Sequence, residues 1–462
     1  MLMSLLIKNG RIITAADDYV ADIFIEGEVV KAIGTNLPVK AGKEIDASGK
    51  LVFPGGIDPH VHLDMPFMGT FSSDNYETGT RAALFGGTTM VIDFILQKQG
   101  NSLYSALEEW KSRSDNNCVG DYSFHMAVTD FNEQTKHEIK DLVEKEGIVS
   151  FKTFMAYKGA LMIDDRQMIG LMEEVKKQGG LINVHATNGD MIDYLIAKHR
   201  GEGKLSPLYH YLSQPEVTEA EASERFADMA NYTGCPGYIV HLTCEGALNA
   251  VRNATRRNQK IFVETCIQYL ILDASLYEND FEGAKWVMSP PLREKKDQET
   301  LWAGINQGLV QVVATDHCPF KWEQKLMGKD DFSKIPNGHP AIENRMELLY
   351  SEGVHKGRIT LNKYVEVACT NPAKIFGMFP RKGTIAVGSD ADIVIFDPAE
   401  KHVLSAQTHH MNVDYSGYEG WELTGKVKTV LLRGQVAIDN NECLLEKGYG
   451  QFIKRSKVDS KI

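Results

Sequence analysis

The chain has 462 residues, 43% hydrophobic and 24% charged, an ordinary globular composition that excludes collagen-like, low-complexity and disordered classes. Fifty basic against 62 acidic side chains leave a net charge of −12, which argues against broad binding to nucleic acid or an anionic membrane. No apolar run reaches the length of a membrane span, and seven scattered cysteines without a C-x-x-C pair read as free thiols of a reducing, cytoplasmic compartment.

In chain order, SLLIKNGRIIT reads as a strand entering a turn at Asn9-Gly10, without the cleavage pattern of a signal peptide. DYVADIFIEGEVVKAIG and GKEIDASGKLVF continue the alternation of apolar and polar residues expected of strands. From about residue 54 the texture changes. Short apolar strands are predicted at 56–63, 88–95, 122–128, 148–155, 181–186, 238–243, 261–265 and 310–316. Helical patterns such as SALEEWKSRS, QMIGLMEEVKKQG, EASERFADMANYTG and DQETLWAGINQG lie between them. Near-continuous apolar runs suit strands buried on both faces, and eight strand–helix repeats predict a closed parallel (β/α)8 barrel. An open doubly wound sheet is the competing architecture, but its G-x-G-x-x-G fingerprint is absent after the first strand. The far end, GTIAVGSDADIVIFDP, KHVLSA and VKTVLLRGQVAIDN, returns to short strands. The expected fold class is therefore α/β: a distorted (β/α)8 TIM-type barrel over 54–375, flanked by a small β-sandwich built from 1–53 plus 376–462. The Lys-rich end KRSKVDSKI is expected to be solvated.

A parallel barrel gathers its chemistry at the C-terminal ends of its strands. The first predicted strand ends in Asp58-Pro-His60-Val-His62, and residues i and i+2 of a strand share a face, so both imidazoles point one way. The fourth ends in Ser150-Phe-Lys152, the fifth in Val184-His185, the sixth in Val240-His241 and the eighth in Thr315-Asp316-His317. Four histidines, an aspartate and a lysine would thus converge on one mouth. Imidazole and carboxylate without cysteine suit zinc, manganese, iron, cobalt or nickel in an open site. Four His and one Asp exceed the three protein ligands usual for one catalytic metal, and two dications need a bridging anion. Lys152 has two readings. Burial beside cations would lower its pKa until the amine takes up CO2 as a bridging carbamate; alternatively it is an ion-pair partner of Asp316. Spacing alone leaves both open.

The motifs G-G-I-D-P-H-V-H-L-D (55–64), S-F-K-T-F-M-A-Y-K (150–158), H-L-T-C (241–244), E-T-C-I-Q-Y-L (264–270), S-P-P-L-R (289–293), T-D-H-C-P-F (315–320), I-P-N-G (335–338) and K-G-T-I-A-V-G-S-D-A-D-I-V-I-F-D-P (382–398) stand in this order. Together they resemble the dihydropyrimidinases and D-hydantoinases, cyclic amidases of the amidohydrolase superfamily. The resemblance runs from about Ile7 to Lys454. It implies a binuclear centre of two divalent ions, usually zinc and sometimes manganese. His60, His62, N6-carboxylated Lys152 and Asp316 would hold the more buried ion; His185, His241 and the same CO2-derived carbamate would hold the more exposed one. Tyr157 matches the tyrosine that bonds the substrate carbonyl and developing oxyanion, and Ser289 and Asn337 match positions whose backbone holds the ring amide. Loops at 64–72 and 94–100, and the segment after Tyr157, would line the pocket for the exocyclic substituent.

The implied reaction belongs to pyrimidine catabolism or hydantoin hydrolysis. A metal-bridged hydroxide opens a small cyclic ureide to an N-carbamoyl amino acid, with Asp316 shuttling the proton to the leaving nitrogen. The resemblance also implies a homo-oligomer, tetramer or dimer. Dihydroorotase would place an arginine shortly after H-x-H, where Leu63-Asp64-Met65 stand here, so an anionic ring is disfavoured. An allantoinase-like hydrolase is the nearer alternative, and a non-enzymatic scaffold that has lost its ligands is the third. Thr187 and Ile267 depart from the family's usual Glu and Pro without touching a ligand position. Among the remaining groups, His125 reads as a packed strand residue, His317 as a partner orienting Asp316 or a metal-bound group, and Glu264 as a cap or pair within the barrel. Met65, Phe67, Met68, Phe154 and Met155 are candidate apolar walls.

Overall fold

A computed structural model of the chain describes residues 4–458. Eight parallel strands form one sheet in chain order: β1 (Gly56–Val61), β2 (Thr88–Leu96), β3 (Asp121–Ala127), β4 (Ser150–Phe154), β5 (Leu181–His185), β6 (Gly237–Ile239), β7 (Ile261–Cys266) and β8 (Val312–Ala314). Almost every residue of these strands is buried, as strands inside a ring of helices must be. The sheet closes where Val61 bridges His317 just beyond β8 and the His62 N–H donates to the His317 carbonyl at 2.8 Å. The expected (β/α)8 barrel is thus the observed architecture.

The helices between the strands start where the sequence offers polar caps. Asn75, Ser102, Asn132, Asp164 and Asn188 each accept a backbone N–H at the head of the helices following β1 to β5. Gly179 (φ 79°) and Gly234 (φ 66°) close the helices Asp165–Gln178 and Glu216–Thr233 in the left-handed region, which lets the chain turn straight into β5 and β6. Two strands are shorter than expected. The ladder stops at Ile239 and Ala314 because His241 (φ 41°) and Asp316 (φ 51°) leave extended geometry.

Both termini join one nine-stranded sheet, mostly antiparallel, in which Leu51–Pro54 pairs with Ser4–Ile13 on one side and Ile393–Val403 on the other. Its far strand, Val29–Gly34, returns to bridge Asp390, so the sheet wraps a core of its own that includes Ile7, Ile12, Ile23, Ile25, Val52, Ile393 and Leu431. Asn9-Gly10 makes no turn here. The strand runs through it with a bulge between Ile7 and Gly10, Asn9 taking φ 62° and Gly10 leaving room for Val52, whose methyl a Cβ would meet at 2.5 Å.

A buried ionic cluster fastens this sheet to the barrel. Lys382 reaches Asp392 at 2.6 Å, Asp121 at 2.8 Å and Asp390 at 3.2 Å, and Arg433 reaches Asp121 at 3.2 Å. The three carboxylates have metal-like spacing, but these two cations already satisfy them. The C-terminal segment is solvated at Lys454, Ser456 and Lys457, as its charge suggests, but not at Arg455. Arg455 is buried at the N-terminal end of the barrel, donating to Ser123 Oγ at 3.0 Å, Ser150 Oγ at 2.8 Å and the Phe124 carbonyl. The last residues of that segment, 459–462, lie outside the described residues.

Removing one partner of a buried ion cluster strands the opposite charges, at about 3–5 kcal/mol. Lys382→Met is therefore expected to lower the urea midpoint markedly, whereas an exposed pair such as Lys136–Glu133 can be deleted with little change. Equal midpoints for the two variants would contradict this assignment.

Candidate active site

All nine expected site residues line one cavity at the C-terminal end of the barrel: His60, His62, Lys152, Tyr157, His185, His241, Ser289, Asp316 and Asn337. Pro59, lacking an N–H, coincides with a break in the β1–β2 ladder between Asp58 and Val61, and the irregular strand end delivers both His60 and His62 to the mouth. His60 Nε2 and His62 Nε2 lie 3.1 and 3.0 Å from Asp316 Oδ1. Across the mouth, His185 Nδ1 and His241 Nε2 share a hydrogen bond at 2.8 Å, and the His60 and His241 rings are 5.4 Å apart. Tyr157, His241 and Asp316 all sit at positive φ, 64°, 41° and 51°. For a tyrosine this is a strained geometry of about 1–3 kcal/mol, held by its surroundings.

Burial sets the charge states. His185 and His241 are held well below the ordinary imidazole range by desolvation, with Lys152 for His185 and the neighbouring His185 for His241 adding to it, so they are neutral with free lone pairs. Desolvation also opposes charge on His60, but the Glu264 and Asp316 carboxylates outweigh it and raise its pKa to about 9. Burial disfavours the Asp316 carboxylate, yet its contacts with His60 and His62 hold it well below the carboxylate range. Desolvation pulls Lys152 down to about 7. Its ammonium makes no ion pair with Asp316 or any other described residue and stands against the faces of Phe94 and Phe154, at 4.7 and 5.3 Å from the ring centres. The ion-pair reading of Lys152 is thereby set aside. Burial keeps the Tyr157 phenol protonated, against the opposing pull of its hydrogen bond with Ser289.

This donor set fits divalent ions. His60, His62 and Asp316 present ligand atoms within 4.8 Å of one another, and His62 Nδ1 and His185 Nε2 are buried without a partner among the described residues. All the donors are imidazole nitrogen or carboxylate oxygen, as borderline dications require.

Glu264 does more than the sequence indicates. Its carboxylate accepts from His60 Nδ1 at 2.5 Å, from the His241 backbone at 3.1 Å and from Tyr238 at 2.8 Å, fixing the His60 ring so that Nε2 faces the cavity. A glutamate at a barrel strand end was the available signal. His317 turns away from the mouth. Its Nε2 bonds Asp74 at 3.0 Å and its Nδ1 accepts the Ala341 N–H at 3.1 Å, so it braces the loops and does not orient Asp316. His125 is a packed strand residue, between Ser150 Oγ and the Pro59 carbonyl. Of the expected apolar walls, Met65, Phe67 and Phe154 line the cavity together with Leu96, Leu161 and Cys318. Met155 belongs to the barrel core, and Met68 lies outside the cavity.

The model of the amidohydrolase family matches residues 51–437. The chain belongs to the amidohydrolase family. Its similarity to individual members covers nearly the whole length. It is 47% identical to a D-hydantoinase of Geobacillus stearothermophilus, over 98% of this chain and 97% of that one. It is 40% identical to a dihydropyrimidinase of Rattus norvegicus, over 98% and 88%. The crystal structure of a dihydropyrimidinase from Brevibacillus agri superposes with a TM-score of 0.98 at 47% identity, covering 99% of this chain and 100% of that one.

Glu264 is the chief group raising His60, so Glu264→Gln should lower the His60 pKa from about 9 in the metal-free protein. Histidine ring NMR across a pH titration checks this; an unmoved His60 resonance profile would contradict the pairing.

Proposed function

We propose that the protein hydrolyses a neutral cyclic ureide, a 5,6-dihydropyrimidine or a 5-substituted hydantoin, to an N-carbamoyl amino acid. The observation that carries this reading is the composition of the cavity. Four imidazoles, one carboxylate and one lysine stand on one side, apolar walls on the other, and no arginine lines it to meet an anionic ring. A relative named D-hydantoinase at 47% identity supports the substrate class and the D preference.

His60, His62, Lys152 and Asp316 would hold the more buried ion, and His185, His241 and Lys152 the more exposed one. Two divalent ions there, zinc foremost and manganese as an alternative, supply activated water at neutral pH and polarise the ureide carbonyl. With its pKa near 7, Lys152 is substantially a free amine at neutral pH. The amine nitrogen would attack CO2, forming an N–C bond as one C=O π bond opens onto oxygen and one N–H proton passes to solvent, which would replace a repelling cation by an anion able to serve both ions. Tyr157, kept protonated, donates to the oxygen that gains charge as the carbonyl is attacked. Asp316, ionised in this site, would accept the proton of the attacking water and return it to the leaving ring nitrogen. Ser289 and Asn337 align the ring amide, and Met65, Phe67, Leu96, Phe154 and Leu161 exclude water around the exocyclic group. We further assign 1–53 with 376–462 to one domain and 54–375 to the barrel. The active form is assigned as a cytoplasmic homo-oligomer, tetramer or dimer. All seven cysteines being free supports the reducing compartment; among the described residues no helix is long and apolar enough to cross a membrane.

Dihydrouracil and hydantoins with an apolar 5-substituent are expected to be turned over, with allantoin, whose 5-substituent is a polar ureido group, and dihydroorotate about 100-fold poorer or worse in kcat/KM. Preference for allantoin would move the protein to the alternative ureide hydrolase. Tyr157→Phe should lower kcat by about 10²–10³-fold, the cost of one oxyanion donor, at unchanged metal content; an unchanged kcat would remove Tyr157 from the mechanism. Carboxylation of Lys152 needs the free amine, so metal-free protein given zinc at a fixed concentration of dissolved CO2, with bicarbonate adjusted to each pH, should load faster at pH 8 than at pH 6, followed by 13C NMR of the carbamate carbon. Loading independent of pH and bicarbonate would contradict the carbamate.

A further inference from the structure

Behind the pocket lies another buried lysine that the chemistry above does not use. Lys325 ends the short helix Trp322–Lys325 and has no exposed surface. Among the described residues it has no carboxylate partner. Its ammonium donates instead to three backbone carbonyls: Pro336 at 2.8 Å, Gly338 at 2.9 Å and Val287 at 3.0 Å. An uncompensated buried cation is costly, and an ammonium is the one side-chain group that sends three donors from a single atom. The three acceptors are not scattered. Two flank Asn337, and the third stands two residues before Ser289, the two positions expected to hold the ring amide.

The rest of the arrangement reinforces this edge. The Gly338 N–H bonds the Val287 carbonyl at 2.9 Å, joining the two segments directly. A Cβ at Gly338 would fall 2.1 Å from the Cys318 carbonyl, so only glycine permits the approach. Pro336 O belongs to the same peptide unit as the Asn337 N–H. A cation on that oxygen polarises the unit and strengthens the N–H as a donor, an effect that low dielectric enlarges. The Met288–Ser289 peptide is treated alike: neutral His210, its pKa pulled down to about 4 by burial, donates to the Met288 carbonyl at 2.7 Å. Gln214 then accepts from Ser289 Oγ at 2.8 Å.

We propose that Lys325 is a positioning residue for ring-amide recognition, tying 287–289 and 336–338 into one rigid pocket edge and polarising the Pro336–Asn337 peptide. This rests on the ureide-hydrolase reading above. Because the edge grips the ring in ground state and transition state alike, its loss should appear chiefly in KM. Burial pulls the Lys325 pKa down to about 7 against a smaller opposing pull from Cys318, while the geometry is that of an ammonium, since three acceptors around one nitrogen need three N–H donors and a neutral amine has two.

The test is steady-state hydrolysis of dihydrouracil and a 5-substituted hydantoin by the metal-loaded wild type, Lys325→Met and Lys325→Gln. Lys325→Met, of similar volume without donors, should raise KM about tenfold to a hundredfold with kcat within about threefold. Lys325→Gln keeps one or two donors and should fall between wild type and Met. A structural role alone would reduce the active fraction, lowering kcat per chain at constant KM; that pattern, or unchanged KM in either soluble variant, overturns the proposal. Should the Met variant fail to fold, the Gln variant decides, and failure of both to fold makes Lys325 structural and likewise overturns it. A wild type that turns over neither ureide overturns the functional reading itself, a result distinct from active wild type with insensitive variants.

Discussion

The site exists because the barrel closes. At the seam between β1 and β8, the Val61–His317 bridge and the His62 N–H to His317 carbonyl bond hold the two strand ends in register. That register sets the Nε2 atoms of His60 and His62 about 3 Å from Asp316, residues some 250 positions apart in sequence. Thr315 Oγ1 donates to the buried Asp58 carboxylate at 2.6 Å and locks the seam from beneath. Everything chemical in the molecule, from the low pKa of Asp316 to the orientation of His60 by Glu264, follows from that closure.

Burial then decides what the gathered groups can do. Four imidazoles, a lysine and one ionised aspartate share a desolvated mouth, and three neutral imidazoles each carry one lone pair beside one N–H. A second buried carboxylate, Glu264, is committed to His60. Lys152, pressed against Phe94 and Phe154 without a counter-ion, is the group least suited to remain a cation there. On the proposed reading, that discomfort is functional, since carboxylation replaces the unwelcome charge by the anion that paired dications require. Lys325 shows the contrasting solution. Three carbonyl dipoles surround its ammonium and keep it a donor.

Much of this was legible in the sequence. Buried parallel strands write themselves as continuous apolar runs, so all eight were foreseen, two of them too long at the C-terminal end, and a period of two placed His60 and His62 on one face. What stayed hidden depends on long-range partners. Arg455 looks like part of a solvated basic end, because nothing local announces that Ser123, Ser150 and Phe124 await it. Lys325 is one lysine among many until three carbonyls from two distant loops are seen around it. His317 stands beside Asp316 in sequence, but the left-handed turn at Asp316 sends the two side chains apart. Asn9-Gly10 signals a left-handed backbone correctly, and only the pairing partner decides between a hairpin turn and a bulge. Met68 and Met155 carry no local mark that separates pocket wall from core.

The central claim is that these strand ends form a two-metal hydrolytic centre bridged by modified Lys152. The most direct test is the metal content per chain of protein purified without chelators, measured on the sample assayed for dihydrouracil hydrolysis. The account predicts about two divalent ions per chain, with content and turnover both lost on chelation and in Lys152→Ala. Trace metal only, with no turnover after zinc or manganese is added with bicarbonate, would contradict it.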